Sequence, residues 1–128
     1  MKYLKIIATI CILLASYTTQ AQKVFEMRTY HTNEGKMPAL LSRFENHTMK
    51  FFEKHNITNV GYWLSKKDPN TLVYIISYRN EEAVKTDWKA FVSDPAWGEV
   101  YKKSRENGNL IKSLTSEYLT ATSFSPLK

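Results

Sequence analysis

The sequence predicts one α+β domain of order β-α-β-β-α-β, the ferredoxin-like arrangement of one antiparallel sheet with helices on one face. Three observations carry this. Residues 24–30 and 71–78 are short runs of strand formers, a helical apolar period runs from Leu40 to Phe51, and only a five-residue turn separates the second strand from the third.

The first strand is Val24-Phe25-Glu26-Met27-Arg28-Thr29-Tyr30, with Phe25, Met27 and Thr29 on one side and Glu26, Arg28 and Tyr30 on the other. Phe25 and Met27 are expected against the helices, so Glu26, Arg28 and Tyr30 are expected on the open face. Thr32-Asn33-Glu34-Gly35 reads as a turn, and Pro38 suits a helix's first turn. Leu40, Phe44, His47 and Phe51 then recur at helical spacing, flanked by Leu41, Thr48 and Phe52, while Arg43, Glu45, Lys50 and Glu53 are left to face water. The helix is expected to run to His55 and close at Asn56. Thr58 to Ser65 and Thr71 to Tyr78 form a hairpin across Lys66-Lys67-Asp68-Pro69-Asn70. Asn80 caps a second helix carrying Ala83, Val84, Trp88 and Phe91. Asp94-Pro95 interrupts it and starts a turn holding Trp97, Val100 and Tyr101; Asn107-Gly108-Asn109 breaks the chain before a last strand, Ser113 to Thr122.

Residues 1–21 have the anatomy of a secretory signal peptide: basic Lys2 and Lys5, an apolar run from Ile6 to Ala15, and a polar stretch ending at Ala21. An apolar core of about ten residues is half of what a bilayer span needs. Residues 22–128 are then one exported domain, periplasmic or secreted and not held to a membrane. The single cysteine, Cys11, lies in the leader, which leaves no disulfide, thiolate ligand or Cys nucleophile in the rest. Of the formal charge of +6, two units belong to the leader, and the remaining lysines are dispersed without an arginine cluster, so no nucleic-acid partner is expected. His31, His47 and His55 lack metal-ligand spacing, so no metal or other cofactor is expected. There is no G-x-S-x-G elbow and no glycine-rich phosphate loop.

Helices can cover only one face of such a sheet. The other, bearing aromatic side chains, is too apolar to leave in water. A two-fold homodimer with its two sheets face to face solves this and encloses a cavity. That is the expected partner and the expected place for a small-molecule ligand.

Glu26-Met27-Arg28-Thr29-Tyr30 resembles the E-x-R-x-Y opening of the NIPSNAP domain. Gly35-Lys36, the His47 helix ending at Glu53-Lys54-His55, Val60-Gly61-Tyr62-Trp63, Tyr78, Asp94-Pro95-Ala96-Trp97 and Phe124-Ser125-Pro126-Leu127 are similar to it as well. The resemblance spans about residues 24–127 and implies a dimeric α+β barrel, a fold shared with small monooxygenases, isomerases and haem enzymes. It implies no agreed catalytic residues. Val84-Lys85-Thr86 departs from the arginine that members often carry early in the second helix.

Glu26, Arg28 and Tyr30 share a strand face, where they either pair structurally or jointly hold a polar ligand; Arg28 can clamp a carboxylate or phosphate. His47 is either a packed helix residue or, with Tyr30, a catalytic proton carrier. Tyr62 and Trp63 point to opposite faces, one under a helix and one into the cavity. The sequence thus favours an exported homodimer that binds a small molecule at Glu26, Arg28, Tyr30, His47, Tyr62 and Trp63. The alternatives are a cofactor-independent monooxygenase or isomerase and a purely structural homodimer.

Overall fold

In the computed structural model, which describes residues 21–128, strand β1 (Val24–Thr32) lies at the centre of the sheet. It pairs antiparallel with β3 (Thr71–Tyr78) on one side and with β4 (Ile111–Leu119) on the other. β2 (Thr58–Leu64) joins β3 through the expected hairpin, giving the order β2-β3-β1-β4. The β-α-β-β-α-β succession and the single antiparallel sheet are as expected. The last strand begins at Ile111 and ends at Leu119, slightly earlier than expected. The leader expectation falls on residues 1–20, outside the described residues.

The face assignment of β1 is reversed. Glu26, Arg28 and Tyr30 are buried on the helix-covered face beside Tyr74, Ile76 and Tyr78 of β3. Met27 and Thr29 face the open side with Val73, Ile75 and the exposed Trp63. Alternation shows which residues share a face and is silent on which face the helices choose. Tyr74, Ile76 and Tyr78, all 1% exposed or less, decide it. Their bulk anchors the core, and Glu26 and Arg28 are carried in because they neutralise each other.

The first helix has a break in its period. α1 (Met37–Arg43) passes into a π-helical segment (Phe44–Thr48) and on into α2 (Met49–Lys54), with the Met49 N–H donating to the Phe44 carbonyl. The Thr48 hydroxyl donates to the Arg43 carbonyl at 3.3 Å, the side-chain back-bonding that bends helices. A π turn holds more residues than an α turn, so it retards the phase of everything after it. The inward stripe is Leu40, Phe44, Thr48 and Phe52, all buried, and not Leu40, Phe44, His47 and Phe51. His47 is turned out to solvent. Arg43, expected in water, is buried.

The helix ends in a Schellman motif. Asn56 sits at a left-handed φ of 61°, its N–H donates to the Glu53 carbonyl, and the Ile57 N–H reaches back to the Phe52 carbonyl at 2.9 Å. Ile57 and Phe52 are both buried, completing the hydrophobic contact that accompanies this cap.

α3 (Glu81–Val92) begins where Asn80 accepts from the Ala83 N–H at 2.8 Å, as its residue type predicts. α4 (Pro95–Lys103) begins at Asp94, which accepts from the Ala96 N–H at 2.9 Å. Asp94 also ties the two helical layers together, accepting from Lys54 Nζ at 2.6 Å and pairing with His55 Nε2 at 2.8 Å. The Lys54 and His55 contacts and the Ala96 N–H, only partly opposed by burial, hold the Asp94 carboxyl well below the usual carboxylate range. A carboxylate with a depressed folded pKa contributes stability that is fully present above its unfolded value of 3.8 and is lost as pH falls through the folded pKa. Thermal melts of wild type and Asp94→Asn, which keeps the cap acceptor, should therefore differ at pH 7 and converge in strong acid. A difference independent of pH would exclude the charged contacts as its source.

Candidate functional site

The buried row on β1 forms a continuous hydrogen-bonded network. Glu26 accepts from the Tyr78 hydroxyl at 2.8 Å and from Ser116 of β4, and it pairs with the Arg28 guanidinium. Arg28 donates to the Tyr30 hydroxyl at 3.4 Å, and Tyr74 donates to the same oxygen at 2.9 Å. The Arg28 guanidinium lies 4.5 Å from the Trp88 ring centre, within cation–π range. Burial disfavours its charge, but Tyr74, Tyr30 and Glu26 together outweigh burial and raise its pKa. For the Tyr78 phenol burial acts in the other sense, and together with Glu26 it pushes the pKa up. Glu26 and Arg28 form a pair without net charge whose far edge, Arg28 and Tyr30, borders a cavity.

That cavity, about 320 Å³, lies between the sheet and the helices. Its floor is Arg28, Tyr30 and Tyr74; its walls are Phe44, Phe52, Trp88, Phe91 and Trp97. Its mouth is rimmed by Val92, Tyr101 and Leu114, each at least 40% exposed, and by Gly98. The volume is at the lower end of small-molecule sites, and a mostly aromatic wall with a few convergent polar groups is the usual composition of one. The walls are rigid because the rings support one another: Phe52 meets Phe91 edge-on at 4.9 Å, and Phe91 lies 4.7 Å from Trp97.

Arg43 supplies the second cation at this cavity. Only 6% exposed, it donates from Nη1 to Ser104 Oγ at 3.2 Å, and its Nε has no hydrogen-bond partner. Its guanidinium carbon lies 5.6 Å from the Trp97 ring centre and 5.3 Å from that of Tyr101. Burial lowers its pKa, and the nearby charge of Arg105 adds to this. Among the described residues no carboxylate forms an ion pair with it. Sequence reasoning missed Arg43 because it assigned every charged position of the helix to solvent. The available signal was its place three residues after Leu40 and directly before Phe44, at the edge of the inward stripe.

The other expected site residues are dispersed. Tyr62 packs under the helices, stacked on Tyr74 at 5.2 Å with its hydroxyl donating to Asn59 Oδ1 at 2.6 Å, and burial raises its pKa. It stands behind Phe44, not at the cavity. Trp63 lies on the open sheet face, 53% exposed, with its ring across Gly61; a methyl group at Gly61 would sit 2.5 Å from that ring. His47 borders a surface groove between the first helix and α4, with Ser42 and Glu99. Of the six, Arg28 and Tyr30 line the cavity, Glu26 supports them from behind, and Tyr62, Trp63 and His47 stand apart. Trp88 and Trp97 also line the cavity.

A groove of about 500 Å³, bordered by Gln22, Lys23, Ser123 and Lys128, brings together no buried polar groups among the described residues. Among the described residues no three His, Cys, Asp or Glu side chains gather as a metal site, and no helix is long and apolar enough to cross a membrane.

A four-stranded antiparallel sheet, helices on one face and an aromatic cavity between them place the molecule in the α+β barrel class. The NIPSNAP family profile matches residues 25–126, and the chain belongs to that family. Comparison with curated proteins returned no match. Among solved structures it is similar to a NIPSNAP family protein of unknown function from Agrobacterium tumefaciens, at 27% identity over 84% of this chain and 95% of that one, with a TM-score of 0.73. A NIPSNAP-like domain protein from Burkholderia xenovorans has 21% identity over 82% of this chain and 90% of that one, TM-score 0.72. SnoaB, a cofactor-independent oxygenase from Streptomyces nogalater, shares the fold at 18% identity, 83% and 99% coverage and a TM-score of 0.57.

Proposed function

We propose that this protein is an exported homodimer that binds a small, mainly apolar molecule in the cavity between its sheet and helices. The observation that carries the binding reading is the cavity itself: aromatic walls enclosing a floor where Arg28, Tyr30 and Tyr74 converge. Dimerisation draws on the opposite face, where Met27, Val73, Ile75 and Trp63 form an apolar surface on a sheet that helices cover on one side only. In this reading the open sheet face makes the dimer and the covered face makes the site, so the ligand lies within each subunit and not between the two sheets.

Cofactor-independent oxygenation is a second reading. It rests on the hydrogen-bonded Tyr30 and Tyr74 phenols beside Arg28 on the cavity floor, groups that can hold and pass a proton to a bound molecule, and on the fold shared with SnoaB. Native mass spectrometry of the protein purified gently from its host tests the main reading. The expected spectrum is a dimer, without residues 1–21, carrying a reproducible small-molecule adduct. A bare dimer would favour the structural alternative, and a bare monomer would defeat the sheet-to-sheet arrangement.

A further inference from the structure

The cavity floor and walls carry two guanidinium groups and no carboxylate, yet the two are not equivalent. The Nε of each lacks a hydrogen-bond partner, but the charge of Arg28 is matched by Glu26, fully buried behind it. Arg43 is only 6% exposed, and the only hydrogen-bond partner of its side chain among the described residues is the neutral Ser104 hydroxyl. Arg105, of the same sign, further disfavours its charge. A buried cation with an unsatisfied N–H is costly and is usually found paired. The π-helical segment that follows it directly sets the register in which Arg43, Phe44 and Thr48 all meet the cavity, and such segments are frequent at functional sites.

We infer that Arg43 is the anchor for the anionic group of the bound molecule, and that the natural ligand is a planar aromatic monocarboxylate. The inference rests on the binding reading above and specifies it. One unmatched positive charge in the lining calls for one negative charge on the ligand. A guanidinium fork matches a carboxylate with two parallel hydrogen bonds, and of the Arg43 terminal nitrogens only Nη1 is engaged, by Ser104. Trp97 and Tyr101 flank that fork and keep it oriented, while Phe44, Trp88 and Phe91 offer ring faces to the remainder of the molecule. Between aromatic walls the pairing is stronger than in bulk water, so charge should dominate selectivity.

Calorimetric titration of the purified protein with 2-naphthoate and with 2-naphthamide, the same ring without the charge, tests this. We expect the acid to bind at least tenfold more tightly than the amide, and Arg43→Met to remove that preference. Equal binding of acid and amide by wild type would overturn the charge inference and leave the cavity reading standing, as would an acid preference that survives Arg43→Met. Binding of neither would defeat both. The wild-type comparison needs no variant, so the inference stays testable even if Arg43→Met does not fold; Arg43→Lys, which retains charge but not the fork, should then show an intermediate preference.

Discussion

Glu26→Ala should destabilise the protein by about 3–5 kcal/mol, the usual cost of removing one partner from a buried ion pair. Glu26 is 1% exposed and holds Arg28, Tyr78 and Ser116 at once. Its loss leaves the Arg28 guanidinium, itself only 9% exposed, between Trp88 and Tyr30 with no counter-charge. The Tyr78 hydroxyl, also buried, loses its acceptor. A domain of this size has only about 5–15 kcal/mol in total, so the variant should unfold at far lower urea than wild type at the same chain concentration. Glu26→Gln keeps shape and an acceptor and should lose less. Exchanging both partners for apolar residues should restore much of the loss, because the penalty lies in the unpaired charge and not in the missing bond. A loss below about 1 kcal/mol for Glu26→Ala would mean that water reaches the pair.

Phe52→Ala should cost a comparable amount, about 3–5 kcal/mol, through the cavity that a large-to-small change leaves in a packed core. Phe52 is 1% exposed and joins three layers. It stacks over Tyr74 of the sheet at 6.4 Å and packs against Trp88 and Phe91 of α3 at 6.2 and 4.9 Å. These are the same rings that wall the cavity, so the space opened by the substitution is continuous with it. Denaturant unfolding should show the loss of stability, and calorimetry should show a shift toward bulkier ring systems. Phe52→Leu, which refills most of the volume, should give a smaller version of both. Loss of stability without any change in ligand size would separate Phe52 from the site.

Much of the fold was legible because it depends on local pattern. Asn80 and Asp94-Pro95 announced the starts of α3 and α4 through cap chemistry that requires no tertiary partner. The turn at residues 66–70 fixed β2 and β3 as antiparallel neighbours by length alone. Glu26, Arg28 and Tyr30 could be grouped because a strand has period two and no other residue need be known. The site was less legible. His47 appeared inward only on the assumption of an unbroken α-helical period, and the π turn cancels that phase. Arg43 appeared outward because a charged side chain on an isolated helix belongs in water; only Trp97, Tyr101 and Ser104 of α4 and its end, more than fifty residues later, enclose it.

By itself, then, the sequence determined the order of elements, their caps, the hairpin, and which side chains of β1 stand together, since each depends on neighbours a few residues away. The tertiary structure decided which face of the sheet the helices cover. Strand alternation is symmetric between the two faces until Tyr74, Ile76 and Tyr78 pack against Phe44 and Phe52. It also decided that one arginine would find its carboxylate on the same strand while another, Arg43, would be closed over by α4 without one. Charge compensation depends on the full three-dimensional neighbourhood of a group, and that neighbourhood exists only once the layers have docked.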